Sequence, residues 1–347
     1  MGVGQGNVVC WAVMRGVIRR LLRPLADGLG KLPPVRALVA RELRRLASEP
    51  WSAAVIDEFV HGRAGEPYGV GAAEKLRLVE QFRRINSEIQ SGTSPLVHVV
   101  LAREILSIPP DVPGDVIECG AWKGASSACL SLVCGMAGRT LLVCDSFEGL
   151  PDDDGMRVHV GPHVGVYGYY KKGMFAGSLD EVRENIRRCG NLDACRFVKG
   201  LFSESLQNLD GPLAFAFLDV DLVSSTRDCL RHIWPRLVEN GAIYTDDAGD
   251  RDVVKVYFDE AWWRETLECE APGLVGSGCG LPLNPTASSL GYTRKMTVFD
   301  PAKWRKADFL YYPEEGQRKD SPEAGGNQSD RSDRSDRSDR LNRRRPY

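Results

Sequence analysis

A strand-like apolar run that breaks into a glycine turn is the feature that most constrains this chain. Residues 115–127 read Asp-Val-Ile-Glu-Cys-Gly-Ala-Trp-Lys-Gly-Ala-Ser-Ser, so the run ends at Glu118 and is followed by Gly120 and Gly124. Gly120 lets the backbone leave the strand sharply and approach a ligand, and the residues after Gly124 open a helix whose first amides lack intrahelical partners. Taken alone, these residues fit an ordinary strand-to-helix turn about as well as a nucleotide site.

Apolar runs and helical patterns alternate along the chain. The predicted strands are Asp115–Cys119, Thr140–Cys144, Cys195–Lys199, Leu213–Leu218 and Gly241–Thr245. The predicted helices are Ala72–Ile89, Pro95–Leu106, Leu179–Cys189, Ser225–Leu237 and Val253–Glu265, and Leu290–Phe299 is expected to add a closing strand or hairpin. Near-continuous apolar strands are typical of a parallel sheet buried on both faces. The alternation predicts an α/β fold, a doubly wound and mostly parallel Rossmann-like sheet with an N-terminal helical extension.

Composition indicates a globular protein and argues against nucleic acid as a partner. Of 347 residues, 43% are hydrophobic and the formal net charge is -2, which offers no basic face for nucleic acid. The ten cysteines include no Cys-x-x-Cys pair, and Cys119, Cys144 and Cys229 fall within apolar patterns, which favours buried thiols over disulfides or a zinc site. With no apolar run long enough to span a membrane and no signal-peptide pattern, we expect a cytoplasmic protein.

The two ends of the chain differ from its middle, which suggests an extension at residues 1–71, a main domain at 72–313 and a disordered tail at 314–347. Residues 8–25 interleave apolar side chains with arginines, a pattern that suits a helix on a partner or an anionic membrane surface, although a helix that caps the domain is the favoured interpretation. The tail repeats Ser-Asp-Arg four times and has no apolar face to bury.

Polar residues follow the predicted strands where ligands bind in open α/β sheets. After the second strand, Asp145 is placed to accept hydrogen bonds from a ribose diol. After the third, Gly200 permits close approach and Phe202 offers an aromatic face to an adenine ring. These residues favour a nucleotide-like ligand.

Four carboxylates follow the fourth and fifth strands: Asp219, Asp221, Asp246 and Asp247. Carboxylates brought together in this way repel one another unless a cation lies among them. Oxygen ligands without histidine or cysteine suit Mg²⁺ or Ca²⁺ better than zinc. Helix N-caps remain the alternative for Asp219 and Asp221 alone, whereas the full set favours a metal site.

Six segments in order resemble the macrocin O-methyltransferase family. They are Val116–Ser126, Cys144–Pro151, Gly173–Arg183, Phe197–Phe202, Asp219–Thr226 and Gly241–Asp247. The family consists of metal-dependent class I S-adenosylmethionine enzymes that methylate sugar hydroxyls on natural products, and the resemblance extends from about Glu74 to Lys295. It implies a class I methyltransferase fold and a small-molecule hydroxyl acceptor, expected to be a sugar.

The resemblance also assigns site residues. It implies that S-adenosylmethionine binds at Glu118, Gly120, Gly124, Ser126, Asp145, Ser146 and Phe202. It implies that Mg²⁺ binds at Asp219, Asp246 and Asp247. This chain has Val223-Ser224 where the family has Tyr-Glu, and Ala248 where it has an aromatic residue, which leaves the acceptor undefined.

Asp219 is the expected general base, since no histidine lies within a family motif. His159 and His163, in the loop at 152–168, could reach the pocket if the loop folded over it, but solvent-facing side chains are the favoured interpretation.

Two further functions stay open beside the enzyme. A catalytically silent binding module would have no physical reason to keep four mutually repelling carboxylates. An NAD-dependent oxidoreductase fits less well, because Glu118-x-Gly-x-x-x-Gly lacks the tighter Gly-x-Gly-x-x-Gly spacing. The sequence does not fix the acceptor or decide whether the protein forms a homo-oligomer.

Truncation after Pro313 should leave the thermal melting midpoint unchanged, because the composition of the tail cannot bury a core. The measurement compares the full chain with the truncated one by circular dichroism at one concentration. A clear fall in the midpoint would place the tail on the domain and move the predicted boundary.

Overall fold

The computed structural model describes residues 53–152, 155–159, 165–278, 281 and 289–296, which all fall within one compact unit of the chain. Several sequence predictions lie outside these residues: the basic segment at 8–25 with most of the N-terminal extension, His163, residues 297–299 of the closing strand, and the Ser-Asp-Arg tail. None of the helices in the described ranges has the length and apolar character needed to cross a bilayer.

The described chain begins with three helices, after which strands and helices mostly alternate. The helices are α1 (53–61), α2 (Ala72–Glu88), α3 (Pro95–Ser107), α4 (Ala125–Ala137), α5 (Leu179–Cys189), α6 (Phe202–Ser205), α7 (Val223–Ile233), α8 (Arg251–Val256) and α9 (Glu260–Leu267). The strands are β1 (Asp115–Cys119), β2 (Leu141–Asp145), β3 (Arg157–His159), β4 (Gly165–Tyr167), β5 (Cys195–Lys199), β6 (Leu213–Leu218), β7 (Leu237–Thr245) and β8 (Gly291–Arg294).

The main sheet has six strands in the order β5-β2-β1-β6-β7-β8. All neighbouring pairs are parallel except β7 and β8. Numbered by their order within this sheet, the strands run 3-2-1-4-5-6, the order of the doubly wound dinucleotide-binding fold. The predicted fold class is therefore confirmed, and the order reverses between β1 and β6, where such sheets bind ligands.

Successive side chains of the strands enter two separate cores. On β1, Val116 belongs to the core formed with α1–α5, whereas Ile117 belongs to the core formed with α7–α9. This alternation is the period of a strand whose two faces are both covered by helices. Phe59 of α1 and Phe82 of α2 are fully buried in the first of these cores, so the helices before β1 belong to the domain.

Three predicted strands, Asp115–Cys119, Cys195–Lys199 and Leu213–Leu218, have the bounds that the sequence predicts. The prediction of a single helix at Val253–Glu265 is wrong, because the chain forms two helices, α8 and α9, in this region. Asp259 lies between them and accepts a hydrogen bond from the Trp262 N–H at 3.2 Å, which starts a second helix. The helix predicted to reach Leu237 ends at Ile233, because Pro235 removes a backbone donor.

The loop predicted at 152–168 contains a separate two-stranded antiparallel hairpin, β3 and β4, in which His159 pairs with Gly165. All eight cysteines in the described part of the chain are free, and Cys119, Cys144 and Cys229 are buried as expected.

Gly120 marks a close approach between the end of β1 and the segment that follows β6. It has φ of 92°, and a Cβ on it would overlap the carbonyl oxygen of Asp219, beyond the end of β6. The Asp219 N–H donates to the Cys119 carbonyl at 2.9 Å, which fixes this approach. Glycine is required here by the adjacent backbone, in addition to any ligand.

Gly120→Ala should lower the free energy of unfolding by about 3 kcal/mol or more, because left-handed strain and steric overlap add. Gly138→Ala is the matched control, since Gly138 has φ of 63° but nothing within 4 Å of a built Cβ. That variant should lose only about 1–2 kcal/mol. Urea denaturation of both proteins tests this, and equal losses would show that the overlap relaxes at little cost.

Candidate active site

A cavity of about 520 Å³ lies at the carboxyl ends of the parallel strands. We call it the strand-end cavity. Of the predicted site residues, seven line it: Gly120, Asp145, Ser146, Phe202, Asp219, Asp246 and Asp247. Glu118, Gly124 and Ser126 are not among its lining residues. The predicted metal ligands and four of the predicted cofactor residues are thus brought together in one place.

Asp145, at the end of β2, holds the turn that follows β1. Its Oδ2 accepts hydrogen bonds from the N–H groups of Ala121 at 2.7 Å and Trp122 at 3.2 Å. Its Oδ1 accepts the N–H of Phe147 at 2.7 Å and a longer contact of 3.4 Å from the Ser146 hydroxyl. The carboxylate that the sequence predicts as a ribose acceptor is therefore also part of the backbone framework of the site.

Asp247, after β7, makes the corresponding contact with the turn that follows β6. Its Oδ2 accepts the N–H groups of Val220 at 3.3 Å and Asp221 at 3.2 Å. Asp221 has φ of 60°, and Trp122 and Phe147 in the other turns also have positive φ. Such conformations are costly for residues other than glycine and collect at functional sites. Two carboxylates thus support three strained turns.

The aspartates after β6 and β7 lie close enough to raise each other's pKa values. Burial and Asp221 raise the pKa of Asp246 to about 7, and burial with Asp250 raises that of Asp221 to about 6. Burial, then Asp246 and Asp247, raise the pKa of Asp219 well above its ordinary value. Carboxylates from adjacent strands therefore converge, as the sequence predicts. Without a cation among them, their negative charges repel one another.

The carboxylate oxygens after β6 and β7 are ligands of the type that Mg²⁺ prefers. Asp246 Oδ2 accepts a hydrogen bond from the Ser289 hydroxyl at 2.9 Å, but its buried Oδ1 has no hydrogen-bond partner. Within the described residues, no three His, Cys, Asp or Glu side chains are grouped as a ready metal site. Mg²⁺ commonly uses one or two carboxylates and completes its shell with water and substrate oxygens. The residues present fit such an ion, with Asp247 partly committed to the backbone.

Glu118 lies behind the turn, towards α4. It is fully buried, neither carboxylate oxygen has a hydrogen-bond partner, and burial raises its pKa to about 7. Ser126 and Ser127, in the first turn of α4, oppose that rise without hydrogen bonds of normal geometry. Gly124 caps α4 with φ of 82°. A cofactor role for Glu118, Gly124 and Ser126 stays a prediction.

Aromatic residues complete the wall of the cavity, and sequence reasoning missed them. Trp122, Tyr170 and Phe175 all line it, and Tyr170 is only 6% exposed although it lies in an irregular segment after β4. Phe175 carries a positive φ of 57°. The run Tyr167-Gly-Tyr-Tyr170 was the available signal, since several aromatic residues together in a loop indicate a binding surface.

The strand order and the acidic cavity at the sheet's topological switch define a Rossmann-like ligand-binding domain. Residues 100–272 match the model of the family described as macrocin-O-methyltransferase (TylF). This region of the chain belongs to the macrocin O-methyltransferase family.

Two curated relatives are similar to the chain. One is the 8-demethyl-8-(2,3-dimethoxy-alpha-L-rhamnosyl)-tetracenomycin-C 4'-O-methyltransferase of Streptomyces olivaceus, 39% identical over 39% of this chain and 53% of its own length. The other is the demethyldecarbamoylnovobiocin O-methyltransferase of Streptomyces niveus, 33% identical over 40% of this chain and 53% of its own. The chain therefore spans about half the length of the curated relatives it matches.

Among solved structures, the O-methyltransferase NovP is similar over 71% of this chain and 99% of its own, with 22% identity and a TM-score of 0.42.

Glu118→Gln should make stability less dependent on pH. The pKa of Glu118 is raised in the folded protein, so between about pH 4 and 7 the native state binds more protons than the unfolded chain and wild-type stability falls as pH rises. In the wild-type protein the free energy of unfolding should fall by about 3 kcal/mol over that range. The neutral amide of the variant should remove this fall. Melting midpoints in EDTA at pH 5 and 8 measure the effect.

Glu80→Gln, at an exposed position on α2, is the control and should follow the wild-type pH profile. A Glu118→Gln profile parallel to wild type would mean that the Glu118 carboxyl ionises in the folded protein much as it does in water.

Proposed function

We propose that the protein is an S-adenosylmethionine-dependent O-methyltransferase that acts on a hydroxyl of a glycosylated or polyhydroxylated small molecule, with Mg²⁺ assisting. The observation that carries this is the meeting of Asp145 and Phe202 with Asp219, Asp246 and Asp247 in one cavity. Family membership of residues 100–272 and the names of the relatives support the reaction class. The free cysteines of the described chain support a reducing, cytoplasmic location.

The adenosine side of the cavity is assigned to the ends of β1, β2 and β5. Asp145 Oδ1 accepts the Phe147 N–H at 2.7 Å and otherwise only a long contact from the Ser146 hydroxyl, so its second lone pair can accept a ribose hydroxyl while Oδ2 continues to hold the turn. Phe202 lines the cavity and offers an aromatic face to the adenine. When bound, S-adenosylmethionine supplies an electrophilic methyl carbon on a sulfonium.

The reacting side is assigned to the ends of β6 and β7. Asp219 accepts the proton of the acceptor hydroxyl as the oxygen–carbon bond forms and the carbon–sulfur bond breaks, leaving a methyl ether, a thioether and a protonated Asp219. Burial and the neighbouring Asp246 and Asp247 raise the pKa of this carboxylate, and a cation held among them would lower it again. Water restores its ionised state after product leaves.

The carboxylates of Asp219, Asp246 and Asp247 would hold Mg²⁺. When bound there, the ion would supply positive charge that lowers the pKa of the acceptor hydroxyl and favours one orientation of it. The unpartnered Oδ1 of Asp246 supports this assignment, as does the mutual repulsion that a cation would relieve.

Asp219→Asn should reduce methyl transfer by about 100-fold or more, a typical contribution of general-base catalysis, while binding of S-adenosylmethionine persists. Methyl transfer is followed as release of S-adenosylhomocysteine with a panel of natural-product glycosides, and cofactor affinity by isothermal titration. Mg²⁺ should raise the melting midpoint of the wild-type protein, and it should raise that of the variant by less. EDTA should abolish methyl transfer by the wild-type protein.

Asp210→Asn serves as the control, because Asp210 is exposed before β6 and does not line the cavity. Transfer that survives EDTA would remove Mg²⁺ from the mechanism. Absence of cofactor binding in folded wild-type protein would favour the silent binding module instead.

A further inference from the structure

Residues 89–94, which we call the α2–α3 loop, reach the strand-end cavity although no sequence motif points to them. Gly92 lines the cavity, whereas the match to the family model begins only at residue 100. The Arg139 side chain donates to the carbonyls of Pro109, just after α3, and Gly114, just before β1. The carboxyl end of α3 therefore lies beside the amino end of β1. Since α3 has 13 residues and is about 20 Å long, its first turn and the loop before it lie at the carboxyl ends of the strands.

Gly92 is a glycine that the protein itself does not require. Its φ is not positive, and a Cβ built on it would meet nothing within 4 Å. Its N–H and carbonyl make no hydrogen bond within the residues that the structure describes. Gly120, by contrast, is required by the adjacent Asp219 backbone. A cavity-lining glycine with neither a conformational nor a packing reason is expected where a ligand approaches the main chain closely.

A chain of side-chain hydrogen bonds holds the α2–α3 loop in place. The Thr93 carbonyl accepts the Asn86 amide N–H at 2.6 Å and the Ser91 hydroxyl at 2.9 Å. The hydroxyl oxygens of Ser91 and Thr93 are 3.2 Å apart, and the Thr93 hydroxyl lies 2.9 Å from His98 Nε2. His98 is fully buried and meets the Phe82 ring edge-on, with the ring centroids 5.9 Å apart. The chain therefore runs from the loop beside Gly92 into the core.

Counting protons gives each of these hydrogen bonds a direction. The one proton of the Ser91 hydroxyl goes to the Thr93 carbonyl, so the Thr93 hydroxyl donates to Ser91 and accepts from His98 Nε2–H. His98 Nδ1 is then an unprotonated nitrogen without a hydrogen-bond partner in the described chain, which costs less in a buried site than an orphaned N–H. Burial also lowers the pKa of His98 to about 3. The imidazole is therefore a neutral donor at the buried end of the chain.

The methyl donor of the proposed reaction carries three groups on one sulfonium. Under the proposed function, the adenosyl group lies towards the ends of β2 and β5 and the methyl group faces Asp219. The third group ends in an ammonium and a carboxylate, to which a carbonyl and an N–H at Gly92 are complementary. The Tyr244 hydroxyl on β7 donates to Glu104 on α3 at 3.2 Å, so the loop before α3 lies on the side of the sheet away from β5.

We propose that His98 is a positioning residue for binding of the methyl donor. By donating to the Thr93 hydroxyl, it holds the α2–α3 loop so that the main chain of Gly92 contacts the amino-acid end of S-adenosylmethionine. This role rests on the proposed function and adds to the cavity a wall that the sheet does not supply. His98 itself touches no ligand, since it is fully buried and does not line the cavity.

Two nucleosides test this contact: S-adenosylhomocysteine and 5′-methylthioadenosine share the adenosine and the sulfur, but only the first carries the amino-acid end. Their affinities for the full chain are measured by isothermal titration, beside a thermal melt of each variant. Thr93→Val removes the hydroxyl and keeps the shape of the side chain. It should weaken S-adenosylhomocysteine binding about three- to tenfold, the cost of a misplaced hydrogen bond, and leave methylthioadenosine binding unchanged. Thr93→Ser keeps the hydroxyl and should bind both as wild type does.

His98→Gln and His98→Leu separate the hydrogen bond from packing. The glutamine amide N–H can donate to Thr93, so His98→Gln should keep its affinity for S-adenosylhomocysteine, whereas His98→Leu should lose it as Thr93→Val does. Gly92→Ala should show the same selective loss with an unchanged melting midpoint, because the added Cβ meets only open space in the protein. Gln90→Ala is the control, since Gln90 is exposed on the same loop and does not line the cavity.

Equal losses of affinity for the two nucleosides overturn the proposal, as does S-adenosylhomocysteine binding that Thr93→Val and Gly92→Ala leave unchanged. A lower melting midpoint of Thr93→Val without a change in affinity would give the hydrogen-bond chain a purely structural role, which also overturns it. Failure of the proposed function has a different result, because the folded wild-type protein would then bind neither nucleoside.

Discussion

Carboxylates that accept backbone N–H groups across neighbouring strands are the interaction on which the site depends. Asp145 holds the turn after β1, and Asp247 holds the turn after β6. Each turn contains a residue with positive φ, Trp122 and Asp221 respectively. Hydrogen bonds to an ionised acceptor are stronger than neutral ones, so they can offset the strain of these conformations. These two turns position the remaining polar groups so that they line one cavity.

This arrangement assigns two roles to the same type of side chain. Asp145 and Asp247 are largely occupied by the backbone, whereas Asp246 keeps an unpartnered oxygen and Asp219 lies beside it with a raised pKa. Buried carboxylates without hydrogen bonds are unstable as anions, so they favour a cation or a proton. The sheet thus carries carboxylates that hold the backbone beside carboxylates with an unpartnered oxygen or a raised pKa, distinguished by what surrounds them.

The sequence is informative where a signal is local. Strand β6 is predicted to the residue because it is an uninterrupted apolar run, and Asp219 and Asp246 are predicted because they follow such runs directly. The contact from Asp145 to Ala121 joins residues 24 positions apart on different strands, which no local pattern encodes. Tyr170 was missed for a related reason, since its irregular segment has no periodicity to indicate which side chains turn inwards.

Because Gly120 has no side chain, the turn after β1 packs directly against the main chain after β6. The two halves of the cavity are therefore in direct contact. The peptide at this position rests on the main chain of Asp219, so the turn beside the adenosine side and the strand end that carries the expected base touch without intervening atoms. Displacement of one must push or release the other. An occupant that settles against the first turn therefore bears on the position of Asp219, and under the proposed function this favours an order in which the methyl donor arrives before the molecule that receives the group.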